Sequence, residues 1–433
     1  KSSGLAVVVD PQRDIAQYLN DARANNLKIT KVIETHFHAD FLSGHLELAA
    51  ATGAAIIYGA AAAGRVDFAI ETYRQGEHIS LGEVDLEILE TPGHTPESIC
   101  IVVRDGSPTA EPHAVLTGDT LFIGDVGRPD LAQKAVSMTQ EELAGLLYDS
   151  LRSKIMTLPD AVTVYPAHGA GSACGKNMSK ETTDTLGNQK RTNYALNPKL
   201  TEDEFVISLL TGLTTPPAYF PKNVLMNIQG YDSMEKVMTR GQKPLDCKTF
   251  EMVANETQAL ILDTRKASDF AKGFIPNSIN IGLESNFAMW VGELIPDLQQ
   301  QILLVAENHE KVEESIIRLS RVGYDYTIGY LEGGFEVWKN EGREVDTVDR
   351  LTADQLENLE QVHETPIIDV RKKSEFDSEH LVGAINIPLN ELNAHLSEIP
   401  KEKYFIVHCA GGYRSMIAAS ILKLRGFDNF SDV

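Results

Sequence analysis

The chain has 433 residues, which is too long for one ordinary hydrophobic core and predicts about two to three domains. Its formal net charge of −23 excludes a general role in binding nucleic acids or anionic membranes. No apolar run approaches the roughly 18 residues that a membrane span needs. The cysteines are widely scattered, which is not a disulfide framework and indicates a reducing cytoplasm. They are Cys100, Cys174, Cys247 and Cys409.

The first part of the chain alternates strand-like and helix-like segments, which is typical of an α/β fold. The apolar runs "LAVVV" and "KITKVIET" predict strands, and the second run leads into His36. Three further predicted strands, in "VDLEILETPGH", "HAVLTGDTLF" and "VTVYPAHG", end in loops that carry His94, Asp119 and His168. Because α/β sheets keep their chemistry in the loops at strand ends, we expect these side chains to share a site.

The second part of the chain contains an internal repeat. Around residues 220–245 the hydrophobic pattern loosens, which indicates a connector. After it, residues 259–281 match residues 365–387, and the segments that follow them also match. The sequence therefore predicts two copies of one α/β unit. The first copy continues into "LEGGFEVWKNEG" whereas the second reaches Val433, so we expect the second copy to lack this last element.

The polar residues of the first part form the motifs H-x-H-x-D (His36, His38 and Asp40), G-H-T, G-D-T and P-A-H-G. A single histidine is more often a core or surface residue, but several loops with the same ligand chemistry indicate a metal site. This order of motifs resembles the metallo-β-lactamase superfamily over roughly residues 1–230. The resemblance implies an αββα sandwich.

The residue after Asp40 bears on the number of metal ions. In the two-metal hydrolases of that superfamily this residue is a ligand of the second metal, and here it is Phe41. Asp40 and His168 alone leave the second position short of ligands, so a single metal is the simpler interpretation. Two histidines and one carboxylate with open positions are the ligand set of non-haem Fe(II) oxygenases. Zinc, which would serve a hydrolase, is the alternative metal.

The segments "GDTLFIGDVGRPDL" and "LNPKLTEDEFV" resemble the persulfide dioxygenase branch of the superfamily. The resemblance implies one Fe(II) ion per chain, held by His36, His94 and Asp119. It also implies that the other motif residues support this site without binding the iron. Those residues are His38, Asp40 and His168.

Two further residues of this part are candidates for substrate binding, each with an alternative. Arg128 in "GRPD" matches a family arginine of the thiol-substrate pocket, where a guanidinium would hold a substrate carboxylate. The alternative is a loop arginine paired with Asp125 or Asp130. Cys174 in "GAGSACGKN" is either a thiol that carries a persulfide near the iron or a small loop residue.

The second copy of the repeat contains "IVHCAGGYRSMIAASIL", which predicts a strand, a loop that begins at Cys409, and a helix. Gly411 and Gly412 allow backbone N–H groups to converge on the thiol, and Arg414 adds positive potential. Such a setting favours a thiolate and stabilises a bound persulfide or thiosulfate. With "IIDVR" and "GAINIP" upstream, the loop resembles the rhodanese sulfurtransferases, since cysteine-based phosphatases have a loop one residue longer. The resemblance implies that Cys409 carries the sulfane sulfur and that Arg414 and the loop amides hold the anion.

The first copy has no nucleophile at the matching position, which is Ala306. Lys311 stands where the second copy has Arg414, and the acidic side chains of Glu307 and Glu310 would repel an anion. We therefore expect this copy to be structural, as a spacer or an oligomer surface.

Taken over nearly its whole length, the chain resembles the bacterial fusions of a persulfide dioxygenase with rhodanese domains. The predicted domains are a metallo-β-lactamase-like domain at 1–235, a degenerate rhodanese-like domain at 245–345, and a rhodanese domain at 350–433. The implied reaction is oxidation of a low-molecular-weight thiol persulfide by O2 to sulfite, coupled to sulfur transfer that gives thiosulfate. We expect a cytoplasmic homo-oligomer, a dimer or a tetramer, without nucleic-acid or membrane partners.

Two alternatives come from other classes of protein. One is a zinc-dependent thioester hydrolase of the glyoxalase II type fused to a sulfurtransferase. The other is a sulfur carrier with inactive centres. Metal content separates the first from a dioxygenase, and O2 consumption with persulfides separates the second.

Overall fold

The structure is a computed structural model that describes three stretches of the chain. They are residues 3–131, 138–358 and 365–433. The chain divides into two compact units. The first ends at Met234 and includes the short segment Arg321–Gly323, and the second comprises Glu235–Ser320 and Tyr324–Val433. Within the three described stretches, no helix has the length and apolar character needed to cross a membrane.

The first unit contains two β-sheets. The strands of the first sheet are β1 Leu5–Val9, β2 Lys28–Ile33, β3 Ala55–Gly59 and β4 Glu71–Tyr73, all parallel and adjacent in chain order. The strands of the second sheet are β5 His78–Ser80, β6 Val84–Glu90, β7 Ile99–Asp105, β8 Pro112–Gly118, β9 Thr163–Pro166 and β10 Asp184–Thr185. The spatial order of the second sheet is β10-β9-β8-β7-β6-β5, and its neighbours are antiparallel except for the parallel pair β8 and β9.

Helices flank these sheets. They are α1 Ala16–Ala24, α2 His45–Thr52, α3 Gln140–Ser150, α4 Leu186–Thr192, α5 Glu202–Leu210 and α6 Phe220–Gln229, followed by α7 Met234–Gly241 at the chain position where the units meet. Buried side chains between the sheets include Ile33 and Ile57 from the first sheet and Ile88 and Ile101 from the second. Further clusters join α1 and α2 to the first sheet, and α3 and α5 to the second. The layers are therefore α-β-β-α.

Strand direction explains where the motif loops lie. Strands β6, β8 and β9 run in the same direction, because β7 is antiparallel to both β6 and β8 while β9 is parallel to β8. The loops after β6, β8 and β9 therefore leave the same edge of the second sheet. These loops carry His94, Asp119 and His168, as the sequence predicts.

The second unit contains two parallel sheets of five strands each. The first is built from β11 Pro244–Leu245, β12 Leu260–Asp263, β13 Ile279–Asn280, β14 Ile302–Val305 and β15 Thr327–Leu331. The second is built from β16 Asp349–Arg350, β17 Ile367–Asp369, β18 Ile385–Asn386, β19 Phe405–His408 and β20 Phe430–Asp432. Their spatial orders are β11-β15-β14-β12-β13 and β16-β20-β19-β17-β18, which are the same arrangement. The predicted α/β class and the predicted repeat are confirmed.

The helices of the second unit follow the same duplication in part, because α10 and α12 have no α-helical counterpart among the described residues of the second copy. They are α8 Cys247–Thr257, α9 Ala267–Lys272, α10 Phe287–Leu294, α11 His309–Ser320, α12 Gly334–Asn340, α13 Ala353–Glu357, α14 Lys373–Ser378 and α15 Tyr413–Leu424. Helix α12 follows β15 in the first copy, and its Phe335 and Trp338 pack in a cluster with Ile275. In the second copy β20 is the last described element.

Candidate metal centre and sulfur-transfer loop

Three of the predicted metal ligands converge in the first unit. His36 lies beyond the end of β2, His94 beyond β6, and Asp119 directly after β8. The Nε2 atoms of His36 and His94 lie 3.8 and 3.5 Å from Oδ2 of Asp119, and all three side chains are buried. Donor atoms this close together are able to share one metal ion.

Hydrogen bonds set the tautomers of the two histidines. Nδ1 of His94 lies 2.8 Å from the carbonyl oxygen of Arg128, which can only accept, so Nδ1 carries the proton. Nδ1 of His36 lies 2.9 Å from the hydroxyl of Thr35, and that hydroxyl donates to Asp10 at 2.8 Å. Both histidines therefore direct an Nε2 lone pair towards Asp119.

The polar atoms at this centre fit a metal ion. Within the described part of the chain, Nε2 of His36 and both carboxylate oxygens of Asp119 are buried without a hydrogen-bond partner. Burying such atoms unpaired costs free energy, and a cation would compensate for it. Burial and the neighbouring histidines lower the pKa of His36 well below its usual value, which keeps the ring neutral and able to act as a ligand.

Two glycines allow the loops to approach this closely. A Cβ on Gly127 would lie 2.0 Å from the carbonyl oxygen of Asp119 and 2.9 Å from Nδ1 of His94. Gly118 has a positive φ of 50°, and a Cβ there would lie 2.5 Å from the Thr35 hydroxyl oxygen. Any side chain at these positions would push the ligands apart.

His38 is held by carboxylates next to the three ligands. Its Nε2 lies 3.1 Å from Asp10 and 3.2 Å from Glu34, and its ring centroid lies 4.2 Å from that of His36. Burial alone would lower the pKa of His38, but the two carboxylates raise it well above its usual value. Burial also raises the pKa of Glu34 to about 7. The supporting role of His38 stays a prediction.

Asp10 is a residue that sequence reasoning missed. Its carboxylate accepts hydrogen bonds from the backbone N–H and the hydroxyl of Thr35, and it faces His38. It therefore connects the two histidines of the H-x-H motif. Its position directly after the first predicted strand could have indicated this role, because the other motif residues also lie just after predicted strands.

A second group of ligand-type side chains lies beside the first. Nε2 of His168 is 3.3 Å from Oδ2 of Asp40 and 3.5 Å from Oδ1 of Asp119. The thiol of Cys174 joins Asp40 and His168, with all three donor atoms within 4.8 Å of one another. Burial, with the carboxylates of Asp40 and Asp119, raises the pKa of the Cys174 thiol well above its usual value. Burial lowers the pKa of His168, but the same carboxylates outweigh it and raise the value overall.

Arg128 is engaged inside the protein. Its Nε and Nη2 atoms each donate to the carboxylate of Asp130 at 2.7 Å, and Nη2 also donates to the carbonyl of Thr214 at 2.5 Å. The residue is only 2 % exposed. This geometry favours the paired alternative, so contact between Arg128 and a substrate stays a prediction. Its backbone N–H donates to the carbonyl of Cys174, which makes Arg128 an anchor of the Cys174 loop.

Asp125 fixes the continuation of that loop, and sequence reasoning assigned it no such role. Its Oδ2 accepts hydrogen bonds from the backbone N–H groups of Lys176 and Asn177 at 2.6 and 2.5 Å. Its Oδ1 accepts from the N–H of Val126 and the hydroxyl of Tyr194. The aspartate is fully buried, so the loop is tied to the core of the first unit.

The predicted sulfur-transfer loop lies in the second unit, between β19 and α15. The backbone N–H of Gly412 donates to the Cys409 sulfur at 3.2 Å, and Gly412 has a positive φ of 79° that suits glycine. Cys409 is partly exposed, whereas the other cysteines are buried. Gly411 has no atom within 4 Å of where a Cβ would be, so this side of the loop is open. A thiol with this access and a backbone donor is suited to nucleophilic chemistry.

Arg414 lies in the first turn of α15, directly after this loop, and its guanidinium binds a carboxylate. It donates to Glu375 through both terminal nitrogens at 2.6 and 2.9 Å. The hydrogen bond from Arg414 lowers the pKa of Glu375 and keeps it ionised. The roles of Cys409, Gly411, Gly412 and Arg414 in sulfur transfer stay predictions.

The matching loop of the first copy has a different local structure. Asn308 caps helix α11 by accepting the backbone N–H of Lys311, and the Lys311 ammonium donates to Glu314 at 2.7 Å. This copy also contacts the helix that follows the sulfur-transfer loop. The hydroxyl of Tyr413 donates to the carbonyl of Gly282 at 2.8 Å.

Comparisons with known proteins match two families to separate parts of the chain. The model of the metallo-beta-lactamase superfamily matches residues 2–168, and the model of the rhodanese-like domain matches residues 249–341 and 352–433. The mitochondrial persulfide dioxygenase ETHE1 of Bos taurus is 31% identical over 212 residues, which are 48% of this chain and 71% of the relative. A hydroxyacylglutathione hydrolase of Polaromonas sp. is 35% identical over 167 residues, 38% of this chain and 58% of that enzyme.

Among solved structures, a metallo-beta-lactamase from Staphylococcus aureus subsp. aureus COL has 31% sequence identity and a TM-score of 0.66. The match covers 76% of this chain and 92% of that one, so it extends beyond the first unit. The chain therefore belongs to the metallo-β-lactamase superfamily, and it combines that domain with two rhodanese-like domains. The predicted fold class is confirmed in both parts.

Proposed function

We propose that the protein oxidises a low-molecular-weight thiol persulfide with O2 to sulfite and then uses sulfur transfer at Cys409 to form thiosulfate. In the first reaction, one persulfide, one O2 and one water give one thiol and one sulfurous acid, which ionises to sulfite. In the second, the Cys409 thiolate takes the terminal sulfur of another thiol persulfide, which leaves as the free thiol, and the resulting Cys409 persulfide passes that sulfur to sulfite. Thiosulfate leaves, and the Cys409 thiolate is regenerated.

The observation that carries the first reaction is the convergence of His36, His94 and Asp119. Two neutral imidazoles and one carboxylate are the ligand set of mononuclear non-haem Fe(II) oxygenases. When bound, Fe(II) supplies redox chemistry with O2 that amino-acid side chains lack. The chain itself holds the ligands rigidly, because the carbonyl of Arg128 and the hydroxyl of Thr35 fix the two ring orientations. Burial of all three ligands restricts the access of water.

The second reaction is supported by the surroundings of Cys409. The N–H of Gly412 is placed to stabilise negative charge on sulfur, and partial exposure leaves the thiol open to a small anion. The protein carries a strong net negative charge, so a local backbone donor and Arg414 are needed to attract sulfite. Both centres belong to one chain, which raises the effective concentration of sulfite at the second centre.

Similarity to the persulfide dioxygenase of Bos taurus supports this proposal, while similarity to hydroxyacylglutathione hydrolase supports a rival. The rival is a zinc-dependent thioester hydrolase fused to a sulfurtransferase. One observation favours it: Asp40 and His168 approach each other beside the first ligand group, where two-metal hydrolases hold a second ion. A hydrolase would consume water and no O2.

The test is O2 uptake by the iron-loaded full chain with a panel of persulfides, namely those of glutathione, coenzyme A and bacillithiol. Sulfite and thiosulfate are measured in the same reactions. We expect uptake with at least one persulfide. His94→Ala should abolish iron retention and O2 uptake, because it removes one of three ligands, while sulfur transfer from thiosulfate persists.

His113→Ala is the matched control, since His113 is an exposed histidine on β8, the strand that precedes Asp119. It should keep both the iron and the uptake. Absence of O2 consumption with every persulfide, together with hydrolysis of glutathione thioesters, would overturn the dioxygenase proposal in favour of the hydrolase.

A further inference from the structure

We infer that Arg350 binds the sulfur oxyanions that react at Cys409, namely sulfite and thiosulfate. The inference rests on the sulfur transfer proposed above for the identity of these ligands. In the sequence, the arginine lies far from the Cys409 loop, in the short strand β16 that begins the second copy. No motif marks it, and only the folded chain brings it to the loop.

Parallel strands bring Arg350 to the edge of the sheet that carries the loop. Strand β16 pairs with β20, and β20 pairs with β19, which ends at His408 directly before Cys409. All three strands run in the same direction, so their carboxyl ends lie at one edge. A Cβ on Gly412 would lie 2.8 Å from Nη2 of Arg350. The guanidinium therefore lies against the glycine whose N–H donates to the Cys409 sulfur.

A buried carboxylate holds the guanidinium through one nitrogen and leaves the other two for a ligand. Nε of Arg350 donates to Oδ2 of Asp432 at 2.8 Å, and the Asp432 side chain is fully buried. Among the residues that the structure describes, Nη1 and Nη2 of Arg350 have no hydrogen-bond partner. The Arg350 side chain is 35% exposed, so a small anion can reach these N–H groups. A planar guanidinium suits an oxyanion, because its N–H groups can contact two oxygens at once.

Arg414, the cation that the sequence predicts for anion binding, is engaged elsewhere. Both of its terminal nitrogens donate to the carboxylate of Glu375, so an anion would have to compete with that contact. A protein with a strong net negative charge needs a local cation to attract sulfite. Arg350 meets this need without breaking an existing contact.

The copy without a thiol also lacks the ion pair. Aligned on the N-cap residues of the helices that follow, Arg350 matches Pro244 of the first copy. The partner of each residue on the neighbouring strand is Asp432 in the second copy and Tyr330 in the first. The first copy forms the same sheet without this pair of charges, so the fold does not require it. Its presence in the copy with Cys409 points to a role at the thiol.

The alternative is that Arg350 only neutralises the buried charge of Asp432. Removal of one partner of a buried ion pair is destabilising, so a purely structural role predicts slower reaction of Cys409 with every reagent. Anion binding predicts a selective loss for negatively charged reagents. The experiment therefore compares two reagents that differ in charge and attack the same sulfur.

Iodoacetate is an anion and iodoacetamide is neutral, and the Cys409 thiolate of the full chain displaces iodide from both. Cys409 is partly exposed, whereas the other cysteines are buried. Rates are compared at the alkaline plateau, where the thiol is ionised in every variant. In Arg350→Gln we expect the iodoacetate rate to fall about fivefold or more, and the iodoacetamide rate to change less than about twofold. Arg350→Lys should retain most of the iodoacetate rate. An unchanged ratio of the two rates in Arg350→Gln would overturn the inference.

Two further variants separate anion binding from folding and from net charge. Arg350→Gln combined with Asp432→Asn leaves no unpaired carboxylate in the core, and it should show the same selective fall. Arg343→Gln is the matched control, because it removes an arginine that pairs with Glu251 in the first copy. It should leave both rates unchanged. A selective fall in this control as large as in Arg350→Gln would assign the effect to net charge and contradict the inference.

Sulfate, an unreactive oxyanion, tests binding of the ligand class directly. It should protect Cys409 from iodoacetamide in the parent chain, and Arg350→Gln should need about tenfold more sulfate for the same protection. Equal protection of the two chains would exclude Arg350 from oxyanion binding. With thiosulfate as the sulfur donor, Arg350→Gln should raise KM about tenfold with a smaller change in kcat.

Alkylation and sulfate protection require neither sulfur transfer nor O2. A parent chain that shows charge-selective alkylation and sulfate protection, but transfers no sulfur from thiosulfate, would overturn the proposed function at Cys409 and leave oxyanion binding by Arg350 in place. A parent chain that transfers sulfur, with an Arg350→Gln variant equal to it in all these measurements, would overturn the inference alone.

Discussion

The two rhodanese-like copies have the same strand order, but only the second has a loop suited to chemistry. In the second copy, Gly411 and Gly412 lie in the loop that begins at Cys409, and the backbone N–H of Gly412 donates to its sulfur. In the first copy, Ala306 occupies the position of the cysteine. Asn308 caps the helix that follows the loop, as at an ordinary helix N-terminus. The comparison teaches that this fold does not depend on its reactive loop, since one copy keeps the architecture without it.

What the copies share is a set of polar contacts at the carboxyl ends of β12 and β17. Arg265 donates to both carboxylate oxygens of Asp263, and Arg371 does the same to Asp369. In each copy an asparagine side chain also donates to the backbone carbonyls of this aspartate and this arginine. These asparagines are Asn280 and Asn386. The shared contacts satisfy buried polar groups, and the copy without the thiol keeps them as well.

The largest effect is expected from exchanging the nucleophile between the copies. Cys409→Ser should abolish transfer of sulfur from thiosulfate, because a serine hydroxyl stays protonated at neutral pH and is a far weaker nucleophile. O2 uptake should survive, with sulfite as the product in place of thiosulfate. The measurement is the ratio of the two products per O2 consumed, after subtraction of the spontaneous reaction between sulfite and persulfide.

The matched variant is Ala306→Cys in the Cys409→Ser background. It restores a thiol on the same fold but leaves Glu307 and Glu310 beside it, so we expect no recovery of transfer. Recovery would show that the fold alone activates the thiol. Thiosulfate formation by Cys409→Ser at the parent rate would contradict the proposal that Cys409 forms thiosulfate.

The next effect concerns α12, which has no counterpart among the described elements of the second copy. Ile275 is 3% exposed under Phe335 and Trp338, whereas the matching Leu381 is 42% exposed. Ile275→Ala should lower the free energy of unfolding by about 2–4 kcal/mol through cavity formation. Leu381→Ala should lower it by less than about 1 kcal/mol. Urea denaturation followed by far-ultraviolet circular dichroism measures both, and equal losses would contradict the comparison.

A smaller effect is expected from the arginine of the active copy. Arg414→Lys should slow sulfur transfer by about tenfold, because an ammonium cannot reproduce the two-pronged contact with Glu375 and moves away from the loop. Lys311→Arg in the first copy is the control and should leave transfer unchanged. Steady-state rates with thiosulfate as the donor measure this. A rate for Arg414→Lys equal to the parent would exclude the arginine from anion binding.

The same ion pair predicts a pH response. Since the hydrogen bond from Arg414 lowers the pKa of Glu375, the carboxylate stays ionised at neutral pH. The contact is therefore present above the usual pKa of a glutamate and is lost as the pH falls through the lowered value. Transfer rates should fall only on the acid side, and Glu375→Gln should remove that part of the pH profile. An unchanged profile in Glu375→Gln would assign the acid response to another group.

The smallest effect tests the contact between the copies. Tyr413→Phe removes the hydroxyl that donates to the carbonyl of Gly282 and should cost about 1 kcal/mol or less. We expect at most about a fivefold fall in transfer rate, because the tyrosine begins the helix behind Cys409. Tyr404→Phe is the control, since its hydroxyl bonds to Ser431 within the second copy. Equal rates for the two variants would assign no positioning role to the contact.

The sequence alone determined the features that depend on short stretches of chain. Alternating strands and helices, motif residues directly after strands, and the internal repeat could all be read from local patterns, and the structure agrees with them. His94 and Asp119 follow β6 and β8, which run in the same direction and end at the same edge of the second sheet. His36 follows β2 of the other sheet, so the order of motifs, and not one sheet edge, predicted that it shares their site. The loss of the nucleophile in the first copy needed only an alignment of one half of the repeat with the other.

The tertiary structure decided the contacts between residues that lie far apart in the chain. The sequence places Cys174 six residues after His168 and offers it as one candidate near the metal, but only the structure shows that its sulfur also approaches Asp40. The same holds for the engagement of Arg128 with Asp130 and the Thr214 carbonyl, where two partners compete with a substrate. Local propensity describes each segment separately, whereas metal ligation and ion pairing depend on distances of a few ångströms that only the packed chain defines.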